Sequence, residues 1–166
     1  MGSKARAGLG VKVSINEKAV AELSSVGGIE PSTETIDVSN HDTEGGFREF
    51  ISSISDAGDF TIEGNFVAGD EGQATVREAF FAKSIVPVTI EFPKAAGETA
   101  GAKWACNCMI SSFRAVGDAT IDSQLTFAAT LKISGKPTFT DALNAAHTSV
   151  KISVSEGLEP GPNASK

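Results

Sequence analysis

Two short alternating segments with a long connection between them most constrain how this chain can fold. Ile36 and Val38 alternate with polar neighbours in the first segment, as do Phe60 and Ile62 in the second. Successive side chains of a strand point to opposite faces, so each segment predicts a strand with one apolar face to bury and one polar face. The connection, residues 40–56, is much longer than a hairpin turn, and loops longer than ~12 to 15 residues are mostly functional or disordered. We therefore expect two neighbouring strands joined by a functional loop.

This predicted loop contains large apolar side chains behind a flexible Gly45-Gly46 pair. A permanently solvated loop has little reason to hold them, because exposed apolar groups mark interaction sites. We expect the loop to be mobile in the isolated chain and to become ordered against another copy. The predicted interface residues are Phe47, Arg48, Phe50, Ile51 and Ile54.

Charge is unevenly distributed along the chain. The formal net charge is −7, which disfavours binding of nucleic acid through its phosphates. Residues 30–71 carry eleven carboxylates and one base, Arg48, whereas residues 1–18 carry four bases and one carboxylate. The basic end could attract the acidic stretch of a neighbour. The plainer alternative is a solvated charged surface, to which exposed pairs contribute little.

The remaining segments predict further strands and one helix. Asp70 is placed to cap the helix with Gln73 as its capping-box partner. The predicted core-facing stripe of that helix is Val76, Ala79, Phe80 and Lys83. Strands are predicted at 9–15, 86–92, 104–110, 121–133 and 150–154, and the period of 18–24 fits neither strand nor helix cleanly. Residues 93–102 are predicted to form a surface loop, and residues 157–166 a disordered tail.

The alternation at 121–133 is the longest in the chain, and Gly135 and Pro137 are expected to end it. A strand of this length would extend ~45 Å and overhang a small domain unless something pairs along it. A second copy of the chain could provide that pairing.

Candidates for catalysis or cofactor binding are lacking. The chain has no Tyr and neither a GxGxxG nor a GxxxxGK[ST] motif, and Glu44 and Glu49 in so acidic a stretch are expected to be surface charges. Cys106 and Cys108 share one face of a predicted strand, and we expect free thiols rather than a disulfide or metal site. We predict no catalytic site, cofactor or metal. Without an apolar run of 18 residues or a signal peptide, no membrane contact and cytoplasmic synthesis are expected.

A set of short motifs, none specific alone, occurs in a characteristic order over more than a hundred residues. They are VGGI at 26–29, ETIDVS at 34–39, REFI at 48–51, DAG at 56–58, NF at 65–66, DEGQ at 70–73 and LKISGKP at 131–137. Their order and spacing resemble the tail tube proteins of long-tailed bacteriophages. Ser39 and Ser53 stand where Thr and Gly are commoner in that family, a mild departure.

The resemblance implies a mainly β fold, a β-sandwich or half-barrel of about seven to eight strands with one packed α-helix and a long inter-strand loop. The expected organisation is a flexible arm at 1–8 that assists stacking, one tail-tube domain at 9–156 and a flexible tail at 157–166. It further implies six copies in a ring whose inner sheets form one barrel, rings stacked into a tube, other tail proteins at the tube ends, and DNA passing through without sequence-specific binding. The protein would then be a virion component assembled in the host bacterial cytoplasm.

The charge of the polar strand faces indicates which residues line such a lumen. A channel for a polyanion should have neutral or repulsive walls, because each phosphate pairing adds salt-dependent adhesion. The predicted lumen-facing residues are Asp37, Glu63, Asp122 and Gln124, with Lys132 as the one exception in charge on these faces.

Two other functions remain open from the sequence. One is a carbohydrate-binding-like β-sandwich module. Such a module usually has several exposed aromatic side chains on one face, whereas this chain has one Trp and no Tyr. The tube protein of a contractile tail or type VI secretion system is the other, since the resemblance implies the same fold for it.

Overall fold

The structure, a computed structural model, describes residues 8–40, 44–116 and 121–144. The strands in these residues are β1 (Lys12–Ile15), β2 (Lys18–Ala19), β3 (Leu23–Val26), β4 (Ser32–Asp37), β5 (Phe50–Asp56), β6 (Asp59–Asn65), β7 (Ile85–Glu91), β8 (Glu98–Ala100), β9 (Lys103–Arg114), β10 (Thr126–Thr140) and β11 (Leu143–Asn144). One helix, α1 (Glu71–Ala82), separates β6 from β7, and a short 3₁₀ turn spans Glu44–Gly46. The predicted mainly β fold with one helix is confirmed.

Seven strands form one sheet in the order β2-β1-β7-β9-β10-β6-β3. The alternating side chains of these strands place one face in the core, where Ile15, Ile62, Phe127 and Leu131 are almost fully buried. The opposite face is polar or partly exposed. Two smaller two-stranded sheets, β4-β5 and β8-β11, lie outside this arrangement.

A three-residue connection forces the large sheet to curl. β2 and β3 are at opposite edges of the sheet, yet only residues 20–22 separate them in the chain. Seven strands laid flat would place the edges ~29 Å apart, whereas such a connection spans at most ~14 Å. The backbone N–H of Val20 donates to the Val13 carbonyl on one edge, and the Asn65 N–H donates to the Glu22 carbonyl on the other. The sheet is therefore a half-barrel closed by this connection, which we call the seam.

Helix α1 closes one end of the half-barrel. Asp70 caps it as predicted, with its carboxylate accepting from the Gln73 backbone N–H at 2.8 Å. The Gln73 side chain does not complete a capping box: it accepts from the Val67 N–H and donates to the carbonyls of Asn65 and Ala21. Buried Gln73 thereby ties the helix to the seam and to β6.

The predicted core-facing stripe of the helix is confirmed except at its last position. Val76 and Ala79 are buried, and Phe80 packs against the core. Lys83 instead follows the helix as its C-cap in the left-handed conformation, with its N–H directed to the last-turn carbonyls. A cap of this kind satisfies carbonyls that the helix itself leaves unpaired.

The prediction of a loop at 40–56 between neighbouring strands was wrong in two respects. β5 occupies residues 50–56 and pairs with β4, while β6 pairs with β10 and β3. A β-bulge between Thr33 and Thr35 interrupts the pairing, and Ile51 and Ile54 are three residues apart, so β5 lacks the period of two that identifies a strand. The strands β3-β4 and β5-β6 instead form one long hairpin that leaves the large sheet after β3.

The longest strand is displaced from its predicted position. β10 begins at Thr126, so Asp122 and Gln124 lie in the turn before it rather than on a strand face. Gly135 and Pro137 do not end it, because a shift in register between Ser134 and Thr138 accommodates both residues and pairing with β9 continues to Thr140.

The remaining predicted segments can also be compared with the structure. Residues 18–24, whose period fitted neither strand nor helix, contain β2 and the start of β3, and the predicted loop at 93–102 contains β8. The strands at 9–15, 86–92 and 104–110 are found as β1, β7 and β9 with shifted ends. The predicted strand at 150–154, the tail at 157–166 and residues 1–7 of the arm lie outside the described residues.

Glycines allow the close approach at the seam, which gives a test of the closure. A Cβ on Gly72 would collide with the Ala19 carbonyl and the Val20 backbone. Helix propensity alone would make Gly72→Ala stabilising by ~1 kcal/mol. We expect the opposite sign, a loss of ~1 to 3 kcal/mol, because backbone must move to admit the methyl group. Calorimetry should show a melting temperature ~2 to 4 °C lower per kcal/mol.

The control for this test is Gly28→Ala, because no atom lies within 4 Å of a Cβ at Gly28. It should leave the melting temperature nearly unchanged. A higher melting temperature for Gly72→Ala than for the unmodified chain would contradict the close packing of helix and seam.

Candidate assembly surfaces

The β4-β5 sheet and the described residues between its strands, 32–40 and 44–56, form an element that we call the ribbon, and both faces of its two strands are exposed. Every residue of β4 is exposed, so the expected burial of its apolar face does not occur within one chain. Direct cross-strand pairing places Ile36 beside Ile51 on one face, and Phe50 beside Asp37 on the other. The exposed fractions of the apolar side chains are 49% for Ile36, 55% for Phe50, 53% for Ile51 and 81% for Ile54.

An isolated two-stranded hairpin is at best marginally stable in water, and three or more strands or a packing partner are needed. Phe47, which precedes β5, is 78% exposed, so it adds little packing within the chain. The ribbon therefore presents apolar side chains and unpaired strand edges that a further surface could cover.

Two residues predicted for different surfaces meet at the far end of the ribbon. The Arg48 guanidinium lies 3.5 Å from the Asp37 carboxylate, with both side chains largely solvated. Hydrogen bonds from Ser39 hold the pKa of Asp37 below its ordinary value, and the Ser39 hydroxyl also accepts from the Glu49 N–H. Asp37 thus helps to shape the ribbon end, and it is on a different sheet from Glu63.

The base of the ribbon is joined to the large sheet by an ion pair. Lys132 Nζ on β10 lies 2.7 Å from Asp56 Oδ2 at the end of β5. Its hydrogen bond, followed by that of the Gly58 N–H, lowers the pKa of Asp56. Lys132 is thus the partner of a carboxylate rather than an isolated cation. The sequence indicated neither partner, because the two residues are 76 positions apart.

The outward face of the large sheet is the second candidate surface. Glu63 on β6 is exposed there, and the hydroxyls of Thr61 and Thr130 lie 3.3 Å apart across β6 and β10. Ala128 pairs with Glu63 on one side and Arg114 on the other, so a base stands two strands from the carboxylate. The face is mixed in charge rather than uniformly acidic. Asp122 and Gln124 are exposed in the turn before β10, outside this face.

A groove of about 1040 Å³ opens at the end of the half-barrel away from α1. Its walls include Leu9, Val26, Phe92, Trp104 and Phe139. The rings of Trp104 and Phe139 are 4.9 Å apart. The sequence predicted a strand that begins at Trp104, but the groove was missed because Phe139 lies beyond the predicted end of its strand.

Other chemistry is sparse in the residues that the structure describes. None of their His, Cys, Asp and Glu side chains gather in a group that could hold a metal ion, and none of their helices is long and apolar enough to cross a membrane. Cys106 and Cys108 are free thiols, as predicted, with sulfurs 3.4 Å apart. The hydrogen bond to Cys106 and burial raise the pKa of Cys108, so it stays protonated.

Comparison with known proteins decides what kind of molecule presents these surfaces. A model of the family described as phage tail tube protein matches residues 17–139. The chain belongs to that family. This confirms the resemblance seen in the sequence. A search of curated protein sequences found no match.

Solved structures of tubes share the fold of this tail tube family member. The tail of an empty gene transfer agent particle, determined with helical refinement and C6 symmetry, has a TM-score of 0.64 at 19% identity, covering 82% of this chain and 99% of its own. The tube-terminating cap of the anti-feeding prophage has a TM-score of 0.68 at 16% identity, covering 86% and 95%. The SPP1 tail tube has a TM-score of 0.58 at 13% identity, covering 94% and 92%. At these identities the likeness is one of fold.

The Asp56–Lys132 ion pair predicts how the stability of the fold depends on pH. The folded pKa of Asp56 lies below its ordinary value of 3.8, so the pair adds stability above that pH, and this is lost as the pH falls through the folded pKa. Lys132→Ala should raise the pKa of Asp56, as measured by carboxyl NMR titration. Lys136→Ala, which removes a lysine from the same strand, is the matched control. An equal rise in both variants would show that general charge, rather than the ion pair, lowers the pKa of Asp56.

Proposed function

We propose that the chain is a non-enzymatic structural subunit of a virion tail tube, in which six copies close into rings and the rings stack around a lumen. The observation that carries this proposal is the ribbon, a two-stranded element with both faces and both edges exposed. Ring closure and stacking would cover such edges, which otherwise invite aggregation. The C6 symmetry of the gene transfer agent tail, a structure of the same fold, supports six as the number.

The proposed subunit interface comprises Phe47, Arg48, Phe50, Ile51 and Ile54. Four are apolar and at least half exposed, and Arg48 is tied to the ribbon through Asp37. Burying them in a second copy would remove apolar area from water at ~25 cal/mol per Å². Association would also contribute the third strand or packing surface that a hairpin requires.

We assign the lumen wall to the outward face of the large sheet, where Asp59 and Glu63 are exposed carboxylates on one face of β6. Thr61 lies between them on that face, Ala128 pairs with Glu63 on β10, and Lys132 is ion-paired with Asp56. Six-fold repetition would turn each Glu63 into a ring of negative charge, which favours passage of DNA without sequence-specific binding. Asp37, Asp122 and Gln124 fit this wall less well, because they lie on the ribbon and in the turn before β10. Other tail proteins would bind at the tube ends, and assembly would occur in the host bacterial cytoplasm.

Electron microscopy of the purified protein tests the assembly directly. Long smooth tubes are expected, whereas small monodisperse particles at high concentration would contradict the proposal.

Ile54→Asp tests the ribbon within that assembly. Ile54 is 81% exposed in the single chain, so the monomer should fold normally. Burying an isoleucine contributes ~1.5 to 3 kcal/mol, so each contact should weaken at least tenfold and tubes should be lost. Sedimentation and microscopy provide the measurements. Ile121→Asp, at a fully exposed isoleucine outside the ribbon, should form tubes, and tubes formed equally well by Ile54→Asp would exclude the ribbon from the interface.

Glu63→Lys tests the lumen. Particles carrying it should assemble but eject DNA more slowly, because six added cations pair with phosphates, and higher salt should partly restore the rate. Glu63→Gln removes the charge without adding a cation and should have a smaller effect. Ejection kinetics that do not change with Glu63→Lys would mean that this face does not line the channel.

A further inference from the structure

The two ends of the half-barrel differ in how they are filled. At one end, α1 supplies Phe80, whose ring lies 6.1 Å from that of Phe113, which in turn contacts Phe127. At the other end, no described element closes the groove, although its walls are apolar. Leu9 is 89% exposed and Phe139 is 46% exposed. An open apolar groove of this size is a binding site in form, since pockets that bind ligands commonly have ~300 to 1,000 Å³.

The ribbon and the groove have complementary surfaces. The ribbon carries exposed apolar side chains, and the groove has apolar walls that no described residue covers. Residues 32–56 contain six carboxylates and one base, Arg48. The charged residues next to the groove walls in sequence balance: they are Lys12, Lys94 and Lys103 against Glu22, Glu30 and Glu91. Two acidic ribbons would repel each other, whereas a ribbon against this balanced groove would not, so charge disfavours ribbon-to-ribbon contact.

We propose that the groove of one copy receives the ribbon of a second copy. This inference rests on the proposed tube function and names the receiving surface, which the family match does not supply. The side chains best placed to enter are Phe47, Phe50 and Ile54, which are the most exposed apolar groups of the ribbon. Leu9, Trp104 and Phe139 would cover them.

The contact would be directional. None of the residues that line the groove belongs to the ribbon, so each copy carries one ribbon and one groove that do not overlap. Such head-to-tail contacts generate rings or helical filaments rather than closed two-fold dimers. A subunit with a disabled ribbon would still bind the ribbon of another copy in its groove. A subunit with a disabled groove would still insert its ribbon into the groove of another copy.

A mixing experiment with two variants tests this directly. The ribbon variant carries Phe47→Asp and Ile54→Asp, and the groove variant carries Leu9→Asp and Phe139→Asp. Neither should polymerise alone, but an equimolar mixture should form heterodimers in analytical ultracentrifugation, because one productive contact remains. Thr140→Asp adds the same charge to β10 on the opposite face from Phe139 and should assemble normally. Circular dichroism should show the unmodified fold in every variant, and Leu9→Asp alone, at an 89% exposed site, replaces the groove pair if Phe139→Asp unfolds.

Trp104 provides a second readout of the same contact. It is the only Trp in a chain without Tyr, and it lines the groove. When the groove variant also carries Trp104→Phe, the mixture has Trp only in the ribbon variant. Its emission should shift to shorter wavelength, and Trp104 should become less accessible to acrylamide. When the ribbon variant carries Trp104→Phe instead, the emission should not change on mixing.

The outcomes separate this inference from the proposed function. Heterodimers together with the Trp104 shift support ribbon-in-groove docking. If the unmodified chain forms tubes and the groove variant forms them equally well, the tube function stands and the groove is excluded. Two inactive variants that give no heterodimer would show that the ribbon contacts another surface. Loss of tubes with Thr140→Asp would show that added charge alone blocks assembly and would also overturn the inference. If the unmodified chain does not assemble at all, the proposed function itself fails.

Discussion

The close approach of backbone at the seam is the constraint on which the rest of this structure depends. Residues 20–22 bond to β1 through Val20 and to β6 through Glu22, so opposite edges of a seven-stranded sheet are held together. Gly64 and Gly72 leave no room for a Cβ against the seam, and Asp70 and Gln73 bond to Ala21. Because one short segment meets sheet and helix together, curvature, closure and helix position are determined jointly.

Closure of the half-barrel also determines what the chain presents to other molecules. The helix fills one end of the barrel, so the other end remains a groove, and the hairpin that begins as β3 and β6 leaves the sheet as the ribbon. The core is therefore complete in one chain, whereas the ribbon and the groove are not. A subunit built in this way buries a core within one chain and has apolar surface left for assembly, which suits the repetitive contacts of the proposed tube.

Charge acts locally in this molecule rather than as one uniform field. The acidic stretch from 30 to 71 is divided among the ribbon, the start of α1 and the outward sheet face. Asp37 and Asp56 have partners in Arg48 and Lys132, so their charges shape and anchor the ribbon. Glu63 and Asp59 remain as exposed carboxylates of the face assigned to the lumen. The role of each carboxylate in this acidic stretch thus depends on whether the fold places a cation beside it.

The sequence by itself determined the elements whose signals are local. Alternation in β6, β7 and β9, the cap at Asp70 and the stripe of Val76 and Ala79 predicted the mainly β fold with one helix, and the order of motifs identified the family. The position of β5, the true ends of β10, the ion pair of Asp56 with Lys132 and the groove were decided only by tertiary structure. A bulge shifts the register of β5 against β4 and so removes its period of two, and a shift in register lets β10 continue past a glycine and a proline. The ion pair and the groove each bring together residues that are far apart in the chain. A local sequence pattern does not show which distant residues become neighbours when the sheet curls.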